Sequence, residues 1–326
     1  MKLPEFKKIT QDKTTTPPWA KDMKETDFIS YGPTFQMKAY LDLFDEYQYP
    51  CETTGDITYY VYDPIKHGAS ADKTYPVLMW FHGLNNSFDG KNCIFCCGAE
   101  QYATKAYQEQ MGGAYIIVPL ANEVRLEDGN ITGSWDMLED GQRALSWDSM
   151  DENKRGLYVQ VVKAIYDKVC EEHPNNIGKH FIMGASNGGL MTWQMLKEYS
   201  DYFAGAIPIS SGYIPPDEEL ERMNQLGIQI LLAHAKRDEM ASFQECVAPR
   251  IEKLNTLSNI ECFFPEWVYN GDGGVSSICY GFEMGQHCLI NEIQANLMFD
   301  DGTPMTGEYP QGVTGWIRDV VYRQEE

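Results

Sequence analysis

The chain has 326 residues, enough for one large domain or two small ones. Hydrophobic residues make up 43% and charged residues 23% of it, which is typical of a soluble globular protein. Its formal net charge of −22 argues against nucleic acid and anionic membrane surfaces as partners, because binding phosphate groups requires positive charge. We also find no apolar stretch of the length needed to span a bilayer.

Residues 1–56 are expected to form an arm and cover rather than a domain, because the start is polar and prolines at 17 and 18 interrupt regular structure. The first residues lack the apolar run of a secretion signal. The nine cysteines are odd in number and show no disulfide-framework spacing. A cytoplasmic protein with reduced thiols is therefore expected, although a secreted form with its leader removed would look the same.

Strands and helices alternate from residue 57 onward. The β-branched and aromatic run at 57–62 predicts a strand. Short continuous apolar runs predict parallel strands buried on both faces, at 77–81, 115–118, 181–183, 206–209, 228–232 and 260–264. An apolar residue at every fourth position from Leu157 to Val169 predicts a helix, and 190–199 predicts another. The alternation predicts an α/β fold, a three-layer αβα sandwich around a mostly parallel sheet. Two stretches that interrupt it, 85–112 and 122–153, are expected to be insertions that form a lid or pocket.

The most informative segment is 181–190, where an apolar strand leads into G-A-S-N-G and a helical pattern follows at once. A serine on a sharp strand-to-helix turn has a strained backbone and tolerates only small residues two positions away on either side. Gly184 and Gly188 supply them. The turn would hold the Ser186 hydroxyl above the carboxyl edge of the sheet, beside a helix N-terminus that favours negative charge. Ser186 is therefore the predicted nucleophile.

A serine nucleophile needs a histidine base and an acid. The motif around Ser186 resembles the nucleophile turn of α/β-hydrolases, and that resemblance implies the chain order serine, acid, histidine. Only His234 and His287 come after Ser186. His234 lies within an apolar strand pattern and is interpreted as a packing residue, so His287, in a late loop, is the predicted base. Asp238, just past that strand, is the predicted acid, with Glu239 and Asp272 as competitors.

Acyl transfer also requires two donors for the oxyanion of the tetrahedral intermediate, commonly backbone N–H groups. Asn187, directly after the nucleophile, should supply one. The second should come from Leu84 or Gly83, in the turn after the strand that ends in W-F-H-G-L. In this interpretation His82 is structural and supports the loop.

Together these motifs resemble the α/β-hydrolase fold serine esterases, in particular polyhydroxybutyrate depolymerase-like, feruloyl and acetyl-xylan esterases, which are related to prolyl oligopeptidase catalytic domains. The resemblance covers about residues 57–320 and rests on the H-G-L turn, G-A-S-N-G-G with the following M-T-W, and the late aspartate and histidine. The chain departs from the pattern at Ala185. Some feruloyl esterases join a cysteine before the serine to one after the histidine, and here only Cys288 is present.

The resemblance implies a serine carboxylesterase that acts through an acyl-enzyme and needs no cofactor or metal. The substrate is expected to be a small neutral ester, such as an acetyl, other acyl or hydroxycinnamoyl ester of a sugar or small alcohol, because the negative protein would repel anions. A small serine peptidase is the first alternative. It is weakened because prolyl oligopeptidases carry a large propeller domain that filters peptides, and the residues before 57 are too few to form one. The second is a non-catalytic binding protein of the same fold. The oligomeric state is not indicated by the sequence.

Two further patterns suggest a pocket lining and a metal site. Trp135 and Trp147, with Tyr107 and Tyr115, are candidates for lining a substrate pocket, although core packing is the simpler interpretation. Cys93, Cys96 and Cys97 form a C-x-x-C-C motif. A zinc site would need a second pair of ligands at a suitable distance along the chain, and none is evident, so these cysteines are interpreted as packed thiols.

Overall fold

The structure, a computed structural model, describes residues 29–31, 34–36, 38–84, 86–96, 98–122, 146–147, 156–238, 240–265, 287, 289–290, 293 and 312–322. Within these ranges, none of the helices has the length and apolar character needed to cross a membrane.

Within the described ranges, ten strands form two sheets. A small antiparallel pair joins β1 (Ile29–Tyr31) and β2 (Thr34–Gln36). The main sheet contains β3 (Asp45–Tyr49), β4 (Ile57–Tyr62), β5 (Tyr75–Phe81), β6 (Tyr115–Pro119), β7 (Ile177–Ala185), β8 (Gly205–Ile209), β9 (Gln229–Ala233) and β10 (Ile260–Phe263). Its strand order is β10-β9-β8-β7-β5-β6-β4-β3. The pairs from β10 to β6 are all parallel, and β4 runs antiparallel to both β6 and β3.

Eight helices and several 3₁₀ turns are described alongside the sheet. The helices are α1 (Cys93–Cys96), α2 (Lys105–Met111), α3 (Val159–Glu172), α4 (Asn187–Tyr199), α5 (Asp217–Gln225), α6 (Phe243–Cys246), α7 (Ile251–Leu254) and α8 (Gly312–Tyr322). Apolar side chains of α1, α2 and α8 pack on one face of the sheet, and those of α3, α4, α5 and α7 pack on the other. The protein is therefore a three-layer αβα sandwich, as the sequence predicted.

The central strands owe their predictability to burial on both faces. Every residue of β5, β6 and β8 is buried, and successive side chains of β5 alternate between the two cores. Leu78 and Trp80 join the α2 and α8 side, whereas Val77 and Met79 join the α3 and α4 side. Strands without a solvent face are apolar throughout, which is the pattern that predicted them. The two predicted helices are confirmed as α3 and α4, each beginning or ending within three residues of the expected positions.

Two expectations about organisation need correction. The sheet begins before residue 57, because β3 pairs along its length with β4 and because Leu41 and Phe44 are buried in the core. The described part of 85–112 is more than an insertion over the sheet, because it packs in the core and also lines a surface pocket. It connects the parallel neighbours β5 and β6, and Tyr102 and Tyr107 are fully buried in the core. The second predicted insertion, 122–153, lies almost entirely outside the described residues.

Candidate active site

Four neighbouring parallel strands, β5, β7, β8 and β9, end at the same edge of the sheet. The residues that follow these ends are, in spatial order, His82, Ser186, Ser210 and the segment that leads from His234 to Asp238. In open parallel sheets, ligands bind at this carboxyl edge. The strand order alone thus brings the predicted nucleophile, acid and oxyanion loop to one place.

Ser186 occupies a tight turn between β7 and α4, with φ of 57° and ψ of −120°. Only one other non-glycine residue in the described part of the chain, Ser210, has a positive φ. An L-residue in this region is strained by about 1–3 kcal/mol and persists only where its surroundings enforce the conformation. The Ser186 N–H donates to the Ile209 carbonyl at 2.9 Å, which ties the turn to the end of β8.

The glycines beside the turn are required by close backbone contacts. A Cβ on Gly184 would collide with the backbone of Gly188. A Cβ on Gly188 would collide with the Phe81 carbonyl oxygen and lie 2.8 Å from that of His82. The absence of side chains therefore lets α4 begin directly against the end of β5, and it sets the distance between Ser186 and the predicted oxyanion loop.

Asp238 and His287 form a hydrogen-bonded pair. The imidazole Nδ1 of His287 lies 2.9 Å from Oδ1 and 2.8 Å from Oδ2 of Asp238, whose side chain is fully buried. Oδ1 also accepts the backbone N–H groups of Met240 at 2.9 Å and Ala241 at 2.7 Å. Burial raises the pKa of Asp238, but the hydrogen bonds from His287, Ala241 and Met240 outweigh it and the net shift is downward. An ionised Asp238 accepts from Nδ1–H, so Nε2 is the nitrogen with an acceptor lone pair.

His234 supports this pair from behind. It is fully buried, and its Nε2 lies 2.7 Å from the Ala241 carbonyl oxygen and 3.5 Å from Oδ2 of Asp238. Burial lowers the pKa of His234, which favours the neutral imidazole. The backbone of Ala241 therefore links His234 to Asp238, because the Ala241 N–H donates to the carboxylate and the Ala241 carbonyl accepts from the His234 ring. This arrangement matches the prediction that His234 is a packing residue.

Ser186 and His287 line one pocket of about 360 Å³, together with Leu84, Asn187 and Ser210. Tyr213 and Met240, with exposed fractions of 37% and 74%, lie at its border and present apolar surface to solvent. A larger open depression of about 710 Å³ lies elsewhere, and none of the predicted site residues borders it. The smaller pocket is the candidate active site because the nucleophile and base candidates meet there.

A buried network holds the loop after β5. The N–H of Ala121 donates to Nε2 of His82 at 2.9 Å, so the proton of the neutral ring is on Nδ1, which donates to the Gly83 carbonyl at 2.6 Å. Burial lowers the pKa of His82 to about 4. The indole N–H of Trp147 donates to the His82 carbonyl at 3.0 Å. His82 thus supports the loop that carries Gly83 and Leu84, as predicted.

Trp147 packs in the core, which is the simpler of the two interpretations that the sequence left open for it, and it is not among the residues that line the pocket. Its side chain is fully buried, with its ring centroid 4.7 Å from that of His82 and 5.7 Å from that of Phe81. The side chain of Asn187 fixes the same segment, because its Oδ1 accepts the Trp147 N–H at 2.7 Å and its Nδ2 donates to Ser146 at 2.8 Å. Trp147 therefore contacts both the loop after β5 and Asn187, which follows the Ser186 turn, and it fixes the two segments relative to each other.

Several predicted residues lie outside the described part of the chain: Trp135, Glu239, Asp272 and Cys288. Cys93 is buried, and the side chains of Cys96 and Cys97 are not among those described. Tyr107 and Tyr115 are core residues. Within the described ranges, no group of three or more histidine, cysteine, aspartate or glutamate side chains has an arrangement suited to a metal ion.

Ser210, Tyr213 and Met240 are pocket residues that the sequence analysis missed. Ser210 could have been found, because it directly follows the predicted strand at 206–209 and so shares an edge with Ser186. Nothing comparable marks Tyr213 or Met240, which reach the pocket through irregular segments.

No family model matches the sequence, and no curated protein matches it. Among solved structures, the chain is similar to a thermostable esterase, with a TM-score of 0.55 and 21% identity over 77% of this chain. The chain spans 60% of the length of that esterase. A feruloyl esterase module from Clostridium thermocellum has a TM-score of 0.48 and 16% identity over 73% of this chain and 88% of its own. The chain has the α/β-hydrolase fold.

The contact of Gly188 with the end of β5 predicts a severe effect of a single methyl group. Gly188→Ala should lower the stability by about 1–3 kcal/mol, because the new Cβ must push the Phe81 and His82 carbonyls away. Thermal unfolding measures this, with Gly212→Ala as the control, since a Cβ there would meet nothing within 4 Å. Equal unfolding temperatures for the two variants would contradict the described packing.

Buried His82 predicts a stability loss at mildly acidic pH. Its pKa falls from 6.5 in the unfolded chain to about 4 in the folded protein, so the unfolded chain binds the proton first. The contribution of the neutral ring is complete above pH 6.5 and is lost progressively as the pH falls to about 4. His82→Gln should therefore reduce the slope of unfolding free energy against pH in this window by up to about 1.4 kcal/mol per unit. Denaturant titrations at several pH values measure it, and parallel curves for the two proteins would contradict the assignment.

Proposed function

We propose that the protein is a serine hydrolase that cleaves a neutral carboxylic ester through an acyl-enzyme. One observation carries the proposal: a serine held at φ of 57° lines the same pocket as a histidine whose Nδ1 is bound to a buried carboxylate. The proposal rests on the site and not on the fold, because one fold serves many activities.

In the proposed reaction, Nε2 of His287 accepts the Ser186 proton as Oγ attacks the ester carbonyl. Asp238 holds the ring with Nδ1 protonated and stabilises the imidazolium that forms. Its low pKa is consistent with this role, since the carboxylate stays ionised at neutral pH. His287 then returns the proton to the departing alcohol, and water repeats the sequence on the acyl-enzyme.

The developing oxyanion would be met by backbone N–H groups of Asn187 and of Leu84 or Gly83. Asn187 is the first residue of α4, where helix N–H groups have no partner within the helix and the helix dipole favours negative charge. Leu84 and Asn187 both line the pocket. The bracing by His82 and Trp147 supports the proposal, because oxyanion donors act through fixed positions.

The preference for neutral esters follows from charge. Among its described lining residues the pocket has one carboxylate, Glu245, and no lysine or arginine. The whole chain has a net charge of −22, so its field opposes the approach of anions. The volume of about 360 Å³ suits a small acyl or aryl group, which fits an acyl, acetyl or hydroxycinnamoyl ester of a sugar or small alcohol.

A fluorophosphonate probe tests the nucleophile. It should label the wild-type protein at Ser186 and spare Ser186→Ala. Asp238→Asn should lower kcat by about 10³- to 10⁴-fold, because the asparagine amide donates to Nδ1 of His287 and favours the tautomer whose Nε2 cannot accept the serine proton. Ser200→Ala is the matched control, since Ser200 is buried and hydrogen-bonded to Leu196 away from the pocket. Peptide mapping locates the label.

The same preparations, given neutral esters, anionic esters and aminoacyl nitroanilides, test the substrate class. Neutral esters should show the highest kcat/KM. Labelling that survives in Ser186→Ala would refute the nucleophile, and preferred turnover of anionic esters or of nitroanilides would refute the neutral-ester specificity.

A further inference from the structure

Ser210 combines two unfavourable features that the proposed reaction does not explain. Its φ is 46°, and its side chain is fully buried. Within the described part of the chain, its hydroxyl has no hydrogen-bond partner. A strained backbone and an unsatisfied buried hydroxyl each destabilise a folded protein, and both are common at sites that bind ligands.

The position of Ser210 is fixed by the sheet. Ala185 and Ile209 are register partners in β7 and β8, so the next residues, Ser186 and Ser210, lie side by side. Adjacent strands are about 4.8 Å apart, which places the two serines in neighbouring positions at the sheet edge. The Ser210 N–H donates to the Ala233 carbonyl at 2.9 Å, so its backbone is already bound toward β9. The side chain is the part of Ser210 with hydrogen-bonding capacity to spare.

The strand order separates Ser210 from the oxyanion loop. The loop with Gly83 and Leu84 follows β5 on one side of Ser186, and Ser210 follows β8 on the other. The carbonyl oxygen of a bound ester would point toward the β5 side. Groups attached to the α-carbon of the acyl group can then reach the β8 side. A polar group many bonds further from the carbonyl cannot lie beside the nucleophile.

We propose that Ser210 is a specificity-determining residue. Its hydroxyl forms a hydrogen bond with a polar substituent on the α-carbon of the acyl group, the carbon bonded to the scissile carbonyl. The chemical class is a 2-hydroxyacyl ester. This inference rests on the proposed hydrolase function and narrows its substrate. A site with an unpaired buried polar group discriminates against an analogue that lacks the matching group, by about 10- to 100-fold for one hydrogen bond.

The test uses phenyl 2-hydroxybutyrate, as separate enantiomers, and phenyl butyrate, which differs from it by one hydroxyl. The wild-type protein should prefer one hydroxylated enantiomer by about 10-fold or more in kcat/KM. Ser210→Ala and Ser210→Gly should both bring this ratio close to one. Glycine accepts a positive φ without strain, so the glycine variant keeps the test valid if the alanine variant folds poorly. Ser200→Ala should retain the wild-type ratio.

The outcomes separate this inference from the function on which it rests. If wild-type protein is labelled at Ser186 and hydrolyses both esters without preference, the role of Ser210 is refuted and the hydrolase proposal stands. If the Ser210 variants hydrolyse both esters more slowly by the same factor, so that the ratio is retained, Ser210 is structural only, which also refutes the inference. If Ser186 is not labelled and neither ester is hydrolysed, the hydrolase proposal itself fails.

Discussion

The candidate site depends on the close approach of three backbone segments around Ser186. The turn at φ of 57° is bonded to Ile209 of β8, and Gly188 in the first turn of α4 lies against the Phe81 and His82 carbonyls at the end of β5. Neither contact involves a side chain of the serine. The turn therefore fixes, in one rigid unit, the nucleophile, the helix N-terminus and the loop that would bind the oxyanion, and the conformational strain is borne by a well-packed sheet.

The acid and base are positioned by a different means, the satisfaction of a buried carboxylate. Asp238 lies in a fully buried position and receives two backbone N–H groups in addition to the imidazole of His287. A buried charge without such donors would be costly, and the N–H groups of Met240 and Ala241 offset that cost. His234 fixes the backbone of Ala241 through a hydrogen bond with the Ala241 carbonyl. Hydrogen bonds thus hold together side chains from separate parts of the chain.

Much of the fold was predictable because buried parallel strands are apolar at every position. The turn at Ser186 was predictable because its geometry demands glycines at fixed spacing. β3 was missed since its residues, D-E-Y-Q-Y, are mostly exposed at the sheet edge. The sequence left the role of Trp147 open because its partners Asn187 and His82 are 40 and 65 residues away in the chain, and a tryptophan in a loop can equally pack or bind. The strained, unsatisfied Ser210 has no sequence signature beyond following a strand, since φ and hydrogen bonding emerge only in three dimensions.

The central claim is that Ser186 and His287 act as one catalytic unit, and a double-mutant cycle tests it most directly. Residues that act in the same step show strongly non-additive effects, because removing either one already abolishes the step. We expect Ser186→Ala, His287→Ala and the double variant to have nearly equal residual kcat/KM toward a neutral ester. Losses that multiply in the double variant would show that the two residues act independently and would contradict the account.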